Sequence, residues 1–181
     1  MPQAPSRTDP VFFSAPAGSR VRVFTWLGFG LIAAFVAFNG LLAREMRAPP
    51  RQFWPMVLAP GIGLAVVIPV ILHAWVRGYR LVAGELQVMR LGRINRFALA
   101  GLERAEFAPR AMQGARKTWG NDGMGAITGT FRSEALGKFE VIATDLGRTV
   151  VLQWSDHRLV VSPGDPEKFA ENVRAMAGLR H

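Results

Sequence analysis

The segment Ser155-Asp156-His157 contains the three residue types of a serine hydrolase triad. A working triad needs a nucleophile that reaches a base and a base that reaches a carboxylate, and adjacent residues in one short turn cannot converge in that way. Ser and Asp are, in contrast, favoured in tight turns. The sequence therefore predicts a hairpin turn here rather than a catalytic site.

Other catalytic and metal chemistry has few candidates. The chain has no Cys, which excludes thiolate zinc sites, iron-sulfur clusters and Cys nucleophiles. The remaining histidines, His73 and His181, have no clustered carboxylates near them in the sequence. We therefore expect no catalytic residue, no metal and no cofactor. An enzyme acting on lipid-linked substrates stays an alternative, which requires acidic residues to meet in one cleft, for example Glu103, Glu106, Glu134 and Glu140.

Two groups of basic residues are candidate contacts for a membrane or a partner. Arg90, Arg93 and Arg96 follow closely after an uncharged segment, and each would gain about 1 kcal/mol beside an anionic leaflet. The segment Arg116-Lys117-Thr118-Trp119 joins two positive charges to an aromatic ring with a polar edge, as interfacial contacts often do. A solvated charged face and a solvated loop are the respective alternatives.

The stretch 120–125 is rich in glycine, but it lacks the spacing and the following helix of a phosphate-binding loop. We interpret it as a mobile connection between strands, inside an irregular stretch over residues 109–125.

Two long uncharged segments determine where all of these residues lie relative to a membrane. Residues 53–76 contain no Asp, Glu, Lys or Arg, and neither do residues 23–43. About 20 apolar residues in a helix match a hydrocarbon layer of about 30 Å. The sequence therefore predicts a transmembrane helical hairpin over residues 23–77, after a flexible, proline-rich tail over residues 1–22.

The charges flanking the hairpin predict its orientation. Three basic residues lie in the short connection, namely Arg44, Arg47 and Arg51. Eight lie near the other end, namely Arg7, Arg20, Arg22, Arg77, Arg80, Arg90, Arg93 and Arg96. The positive-inside rule then places both termini on the cytoplasmic side of the membrane. Gly28, Gly30, Gly61 and Gly63 would let helices approach closely, either within the hairpin or in a dimer.

The overall charge agrees with this interpretation. The chain has 22 Lys and Arg residues, 19 of them Arg, against 13 Asp and Glu, for a net charge of +9. Such a balance suits nucleic acid, but it also suits membrane topology and attraction to anionic headgroups. Because of the two uncharged segments we favour the membrane and expect no nucleic acid partner.

Residues 78–181 have the pattern of one antiparallel β domain. Short alternating runs separated by turn residues predict eight strands, at 79–82, 85–91, 93–99, 102–108, 127–132, 138–144, 149–154 and 157–161. The last element is a helix, which Asp165 caps and Pro166 opens, with an apolar stripe of Phe169, Val173 and Met176.

Three segments of this domain have a recognisable pattern. They are Tyr79-Arg80-Leu81 with Leu86 and Val88, then Gly129-Thr130-Phe131, and finally the run from Val160 to Phe169 in which a Ser-Pro turn leads directly into the helix. Together they resemble the bacterial pleckstrin-homology (PH)-like domains of small membrane proteins. The resemblance covers residues 79–177. It implies an α+β fold of seven or so strands in a barrel or sandwich, closed by the C-terminal helix, and it implies binding rather than catalysis. Relatives that bind phosphoinositides use a long basic first hairpin, whereas Ala83-Gly84 is short and uncharged.

We therefore expect a non-enzymatic protein, anchored in the membrane by two spans, that binds a protein partner or assembles with itself at the cytoplasmic face. The alternative is a sensor of anionic membranes or lipid headgroups. Its contacts would be Arg90, Arg93, Arg96, Arg116, Lys117 and Trp119.

Overall fold

The computed structural model describes residues 10–46 and 49–179. Its elements follow one another as β1 (Val11–Ser14), α1 (Ser19–Glu45), α2 (Pro50–Ala74), β2 (Val76–Val82), β3 (Glu85–Arg90), β4 (Arg93–Ala98), β5 (Leu102–Phe107), β6 (Arg116–Asp122), β7 (Ile127–Ser133), β8 (Gly137–Ala143), β9 (Val150–Trp154), β10 (Arg158–Val161) and α3 (Pro166–Ala177). Arg47, residues 1–9 of the predicted tail and residues 180–181 lie outside the described residues.

The two uncharged segments form the helices α1 and α2, which pack against each other. Pro50 stands at the first helical position of α2, where its missing N–H is not needed. Within the described residues one helix, α1, is long and apolar enough to cross a membrane, and only 11% of its most apolar window is buried. A pair of membrane spans is therefore not confirmed and is taken up below as a proposal.

The glycines of these helices do not hold them together as predicted. Gly30, Gly61 and Gly63 have open space where a side chain would project. Gly28 faces the β domain, because a side chain there would collide with the Met124 methyl group. The prediction of close approach within the hairpin is therefore wrong at these positions, whereas the alternative of a dimer interface stays a prediction.

The first sheet has four strands in the order β1-β2-β3-β4. Strand β1 corrects the prediction of a flexible tail up to residue 22, because residues 11–14 pair with β2 and α1 begins at Ser19. Phe13 is buried, with its ring centroid 5.1 Å from that of Phe169 on α3. The four-residue strand is too short to show a period in the sequence, and its stability comes from this long-range contact.

The second sheet has six strands in the order β5-β9-β10-β8-β7-β6. Strands β8 and β10 are parallel, so the prediction of a wholly antiparallel domain is wrong at this pair. After β8 the chain passes over one strand position, forms β9, and returns as β10 into the gap.

Strand β6 corrects the prediction of an irregular stretch over residues 109–125. Gly120 and Gly129 lie opposite each other in the β6–β7 pair, both with positive φ. A side chain on Gly120 would collide with the carbonyl oxygen of Thr128, and one on Gly129 with that of Trp119. These glycines therefore permit close strand pairing, whereas the sequence pattern suggested a mobile loop.

The main core lies between the two sheets and α3. The hydroxyl of Tyr79 joins the sheets, since it donates to the Ile142 carbonyl at 2.8 Å and accepts from the Ser162 amide at 3.1 Å. A second apolar cluster covers the outer face of the six-stranded sheet and includes Val21 of α1. The predicted sandwich with a C-terminal helix is confirmed, as is its cap, because Asp165 accepts from the Lys168 amide at 3.2 Å.

Candidate binding surfaces

The first turns of α1 are joined to the β6–β7 turn. The buried hydroxyl of Thr25 accepts a hydrogen bond from the Gly125 amide at 3.0 Å and donates to the Gly123 carbonyl at 3.4 Å. A side chain on Gly123 would lie 3.5 Å from the Phe24 Cβ. The glycine-rich turn is therefore hydrogen-bonded to α1. Within the turn, the Asn121 side-chain amide donates to the Ala126 carbonyl at 2.9 Å.

Helix α2 is joined to the domain on a second side. Only Trp75 separates α2 from β2, and its carbonyl accepts from the Leu91 amide at 3.1 Å. A side chain on Gly92 would lie 3.9 Å from Nδ1 of His73 in the last turn of α2. The β3–β4 turn therefore abuts the end of α2, and the domain is fixed to both helices at the same end of the pair.

The first group of basic residues lies around this β3–β4 turn. Arg90 and Arg93 are direct cross-strand partners, while Arg96 lies opposite Gln87 farther along β4. Burial lowers the pKa of the Arg90 guanidinium, the neighbouring charge of Arg93 lowers it further, and Glu140 acts in the opposite direction. Arg93 and Arg96 are exposed. The structure thus brings Arg90 and Arg93 together near the end of α2.

The second group lies on β6, an edge strand of the other sheet. Arg116 is opposite Arg132, and Lys117 is opposite Phe131 on the other face of the strand. After an extra residue in β6, Trp119 shares the face of Arg116, with 80% of its surface exposed. The six predicted residues therefore divide between two sheets and do not form one site.

The sequence reasoning missed Arg132 and Arg110. Arg132 becomes a neighbour of Arg116 only through the β6–β7 register, and β6 itself was not predicted. Arg110 lies in the loop before β6, and it lines the same groove as the other two arginines. The only sequence signal was the recurrence of Arg on both sides of the glycine-rich stretch.

The Ser155-Asp156-His157 segment is confirmed as the turn between β9 and β10. The ring of His157 stacks on that of Trp154, at 4.4 Å between centroids, and its Nδ1 lies 2.7 Å from an Asp156 carboxylate oxygen. The hydrogen bond to His157 lowers the pKa of Asp156. Among residues 10–46 and 49–179, no group of three or more His, Asp or Glu side chains is placed to hold a metal ion.

Comparison with known families shows that a family described as bacterial PH domain matches residues 77–177, more than half of the 181-residue chain. The match covers β2 to α3 and therefore contains both sheets apart from β1. It confirms the resemblance inferred from the sequence. No curated protein and no solved structure matches the chain.

Proposed function

The chain belongs to the bacterial PH domain family, and from this premise we propose that it is a membrane-anchored binding protein without catalytic activity. PH domains are in general interaction modules. In this proposal α1 and α2 are two membrane spans, and the domain binds a protein partner or a second copy of the chain at the cytoplasmic face of a bacterial inner membrane.

The length of helix beyond the domain carries the proposal. Thr25 forms hydrogen bonds with the domain, and Gly28, one turn farther along α1, still lies against Met124. Residues 29–45 continue for another 17 residues, or about 26 Å. A membrane span needs about 17–25 apolar residues. Large apolar side chains are exposed along both helices, among them Trp26, Leu31, Phe35, Phe38, Trp54, Leu58 and Ile62.

The distribution of charge supports the orientation. Arg44 and Arg51 flank the connection between the helices, whereas the end joined to the domain carries Arg20, Arg22 and Arg77 together with the arginines of β3 and β4. The domain end is therefore the cytoplasmic end under the positive-inside rule.

The edges of the sheets support binding of a protein. Strands β4 and β6 are each the last strand of a sheet, the position at which another strand can add to it. Ile94 on β4 and Trp119 on β6 are exposed apolar residues on these edges. The anchor confines the domain to the membrane surface. A sheet edge of low affinity would therefore still bind a membrane-bound partner, because the effective concentration of that partner is high.

Site-specific photo-crosslinking in cells tests this proposal. A photoreactive residue at Ile94 or Trp119 should yield a discrete crosslinked species, either a second copy or one partner protein. The control position is the exposed Glu171 on α3, which lies on no sheet edge. Protease accessibility in inverted vesicles tests the orientation in parallel. Edge positions that crosslink no more than Glu171, in a chain that is monomeric in detergent, would refute the binding proposal.

A second candidate, recognition of anionic lipid headgroups, is favoured by one observation. The turn that carries Arg90 and Arg93 abuts the end of α2, where headgroups would lie. The domain would then contact the anionic membrane surface, with further contacts from Arg96, Arg116, Lys117 and Trp119. In nanodiscs, Trp119 fluorescence should then shift to the blue with phosphatidylglycerol but not with phosphatidylcholine, and high salt should reverse the shift. Trp119→Phe identifies the contribution of Trp119 among the five Trp residues.

A further inference from the structure

A groove opens on the six-stranded sheet between the loop that precedes β6 and the turn that joins β7 to β8. Its volume is about 1030 Å³, and its lining includes Arg110, Arg116, Arg132, Gln113, Thr118 and Glu134. Three guanidinium groups thus share one groove with a single carboxylate. The remaining polar lining can donate hydrogen bonds, through the Thr118 hydroxyl and the Gln113 amide.

The positions of the cations are fixed by the strand register. Arg116 on β6 lies directly opposite Arg132 on β7, and Arg132 lies directly opposite Lys138 on β8. Directly opposite side chains have Cβ atoms about 4.5–5.5 Å apart, and like charges in this arrangement destabilise a sheet. Three exposed cations in one row across three strands are therefore an unfavourable arrangement for the unliganded domain.

Several arginines elsewhere in the domain have a partner, among them Arg104, Arg148, Arg158 and Arg174. Arg104 pairs with Glu106 at 2.7 Å, and Arg158 donates to the Leu136 carbonyl at 2.9 Å. In the part of the chain that the structure describes, Arg110, Arg116 and Arg132 form no ion pair with a carboxylate. The groove is therefore a concentration of positive charge that the domain itself does not compensate.

We propose that this groove binds a phosphate-bearing anion. Guanidinium groups bind phosphate oxygens through paired hydrogen bonds, and a doubly charged anion between Arg116 and Arg132 would turn their repulsion into attraction. Glu134 leaves the three arginines with a net charge of +2. The groove is distinct from the first hairpin, whose turn Ala83-Gly84 carries no charge. The proposal does not depend on the helices being membrane spans.

Two sources can supply the phosphate group, a soluble phosphate compound or a lipid headgroup. Strand β6 leads from Arg116 in the groove to the turn at Gly123 that packs on α1. Seven steps of about 3.3 Å place the groove about 23 Å along the chain from that contact. A headgroup reaches it only if this part of the sheet lies flat on the membrane, so the experiment needs one arm for each source.

The soluble arm is calorimetric titration of inorganic pyrophosphate into the full chain in phosphatidylcholine nanodiscs, at constant ionic strength. Wild-type protein should bind pyrophosphate at least tenfold more tightly than Arg116→Gln/Arg132→Gln. The control is Arg104→Gln/Lys168→Gln, which removes two exposed positive charges that lie outside the groove. Circular dichroism spectra establish that both variants are folded.

The headgroup arm uses the absence of Cys from the chain. A fluorophore on Ala135→Cys, an exposed position of the groove lining, reports on spin-labelled headgroups in phosphatidylglycerol nanodiscs. Quenching that is lost in Arg116→Gln/Arg132→Gln assigns the phosphate to lipid, whereas pyrophosphate binding without quenching assigns it to a soluble compound. The proposal is overturned if neither signal is seen, or if the control variant loses as much as the groove variant.

Discussion

The helical pair and the β domain use similar apolar residues in opposite environments. In the domain, Tyr79 and Phe169 are fully buried, whereas Trp26 and Phe38 on α1 are 74% and 62% exposed. Soluble monomers rarely expose apolar patches larger than a few hundred Å². The domain therefore completes its own core, whereas the helices leave large apolar side chains exposed, which agrees with the proposed membrane spans.

The two regions also use glycine differently. In the domain, Gly120 and Gly129 let two strands approach where side chains would collide with the opposite backbone. In the helices, Gly30, Gly61 and Gly63 have open space around them. Close packing within the chain therefore explains the domain glycines and Gly28, which lies against Met124, but not Gly30, Gly61 and Gly63.

We expect the largest effect from placing charge on the exposed apolar face of α1, which tests the contrast between the helices and the domain. Leu31→Arg combined with Phe35→Arg should abolish membrane integration, since each Arg near the centre of a span costs about 2.5–3.5 kcal/mol in insertion. Carbonate extraction of cell membranes measures the integrated fraction. Ile94→Arg with Phe107→Arg puts the same charge on exposed apolar positions of the domain and should leave integration unchanged. A helix variant that remains membrane-bound would show that this face does not contact lipid.

Truncation of a buried aromatic ring tests how much the core contributes to the stability of the β domain. Phe169→Ala should lower the free energy of unfolding of the domain by about 3–5 kcal/mol, because its ring fills the core against Phe13 and Tyr79. Phe38→Ala removes the same ring from an exposed position and should change that free energy by less than about 0.5 kcal/mol. Urea unfolding in detergent, followed by near-ultraviolet circular dichroism, gives both values. Equal effects would contradict the contrast between the regions.

The sequence predicted the parts of the molecule that depend on local pattern. The uncharged segments became helices, the alternating runs became strands, and the Ala83-Gly84 turn formed with φ of 49° and 77° at its two residues. Turns with positive φ at both central residues commonly connect the two strands of a hairpin, because the twist of such a turn matches the twist of the strands. The cap at Asp165 was also visible, since capping requires only neighbouring residues.

Long-range pairing explains what the sequence did not predict. Strand β1 depends on the edge of β2, about 70 residues away in the chain, and β6 depends on glycines whose role appears only opposite β7. The Thr25 contact joins residues 98 and 100 positions apart. The groove could not be predicted for the same reason, because Arg116 and Arg132 become neighbours only through the register.

Ionisation of Tyr79 measures how dry the space between the sheets is. Burial raises the pKa of Tyr79 to about 12 from its ordinary value of 10.0, against the opposing effect of its hydrogen bonds with Ser162. The neutral phenol is thus favoured in the folded state, so its contribution of about 3 kcal/mol is complete below pH 10 and is lost as the pH rises towards 12.

Because Tyr79 is the single Tyr of the chain, ultraviolet absorbance of tyrosinate reports on it alone. Tyr79→Phe should give no signal and should cost about 1–3 kcal/mol, since the Ile142 carbonyl and the Ser162 amide lose their partner. A midpoint near pH 10 in the folded protein would mean that water reaches the phenol.

Removing the hydrogen bonds between Thr25 of α1 and the β6–β7 turn should give the smallest and most local effect. Thr25→Val keeps the shape of the side chain but leaves the buried Gly125 amide without its acceptor, at a cost of about 1–2 kcal/mol. Hydrogen exchange of that amide should then accelerate about 5- to 30-fold. Amides of β9 and β10 should exchange as before, because the core between the sheets is untouched. Thr25→Ser retains the hydroxyl and should restore slow exchange, whereas unchanged exchange in Thr25→Val would mean that the β6–β7 turn is ordered without α1. The Thr25 hydrogen bonds would then transmit no constraint from α1 to β6, and α1 would be held to the domain by Val21 in the second apolar cluster.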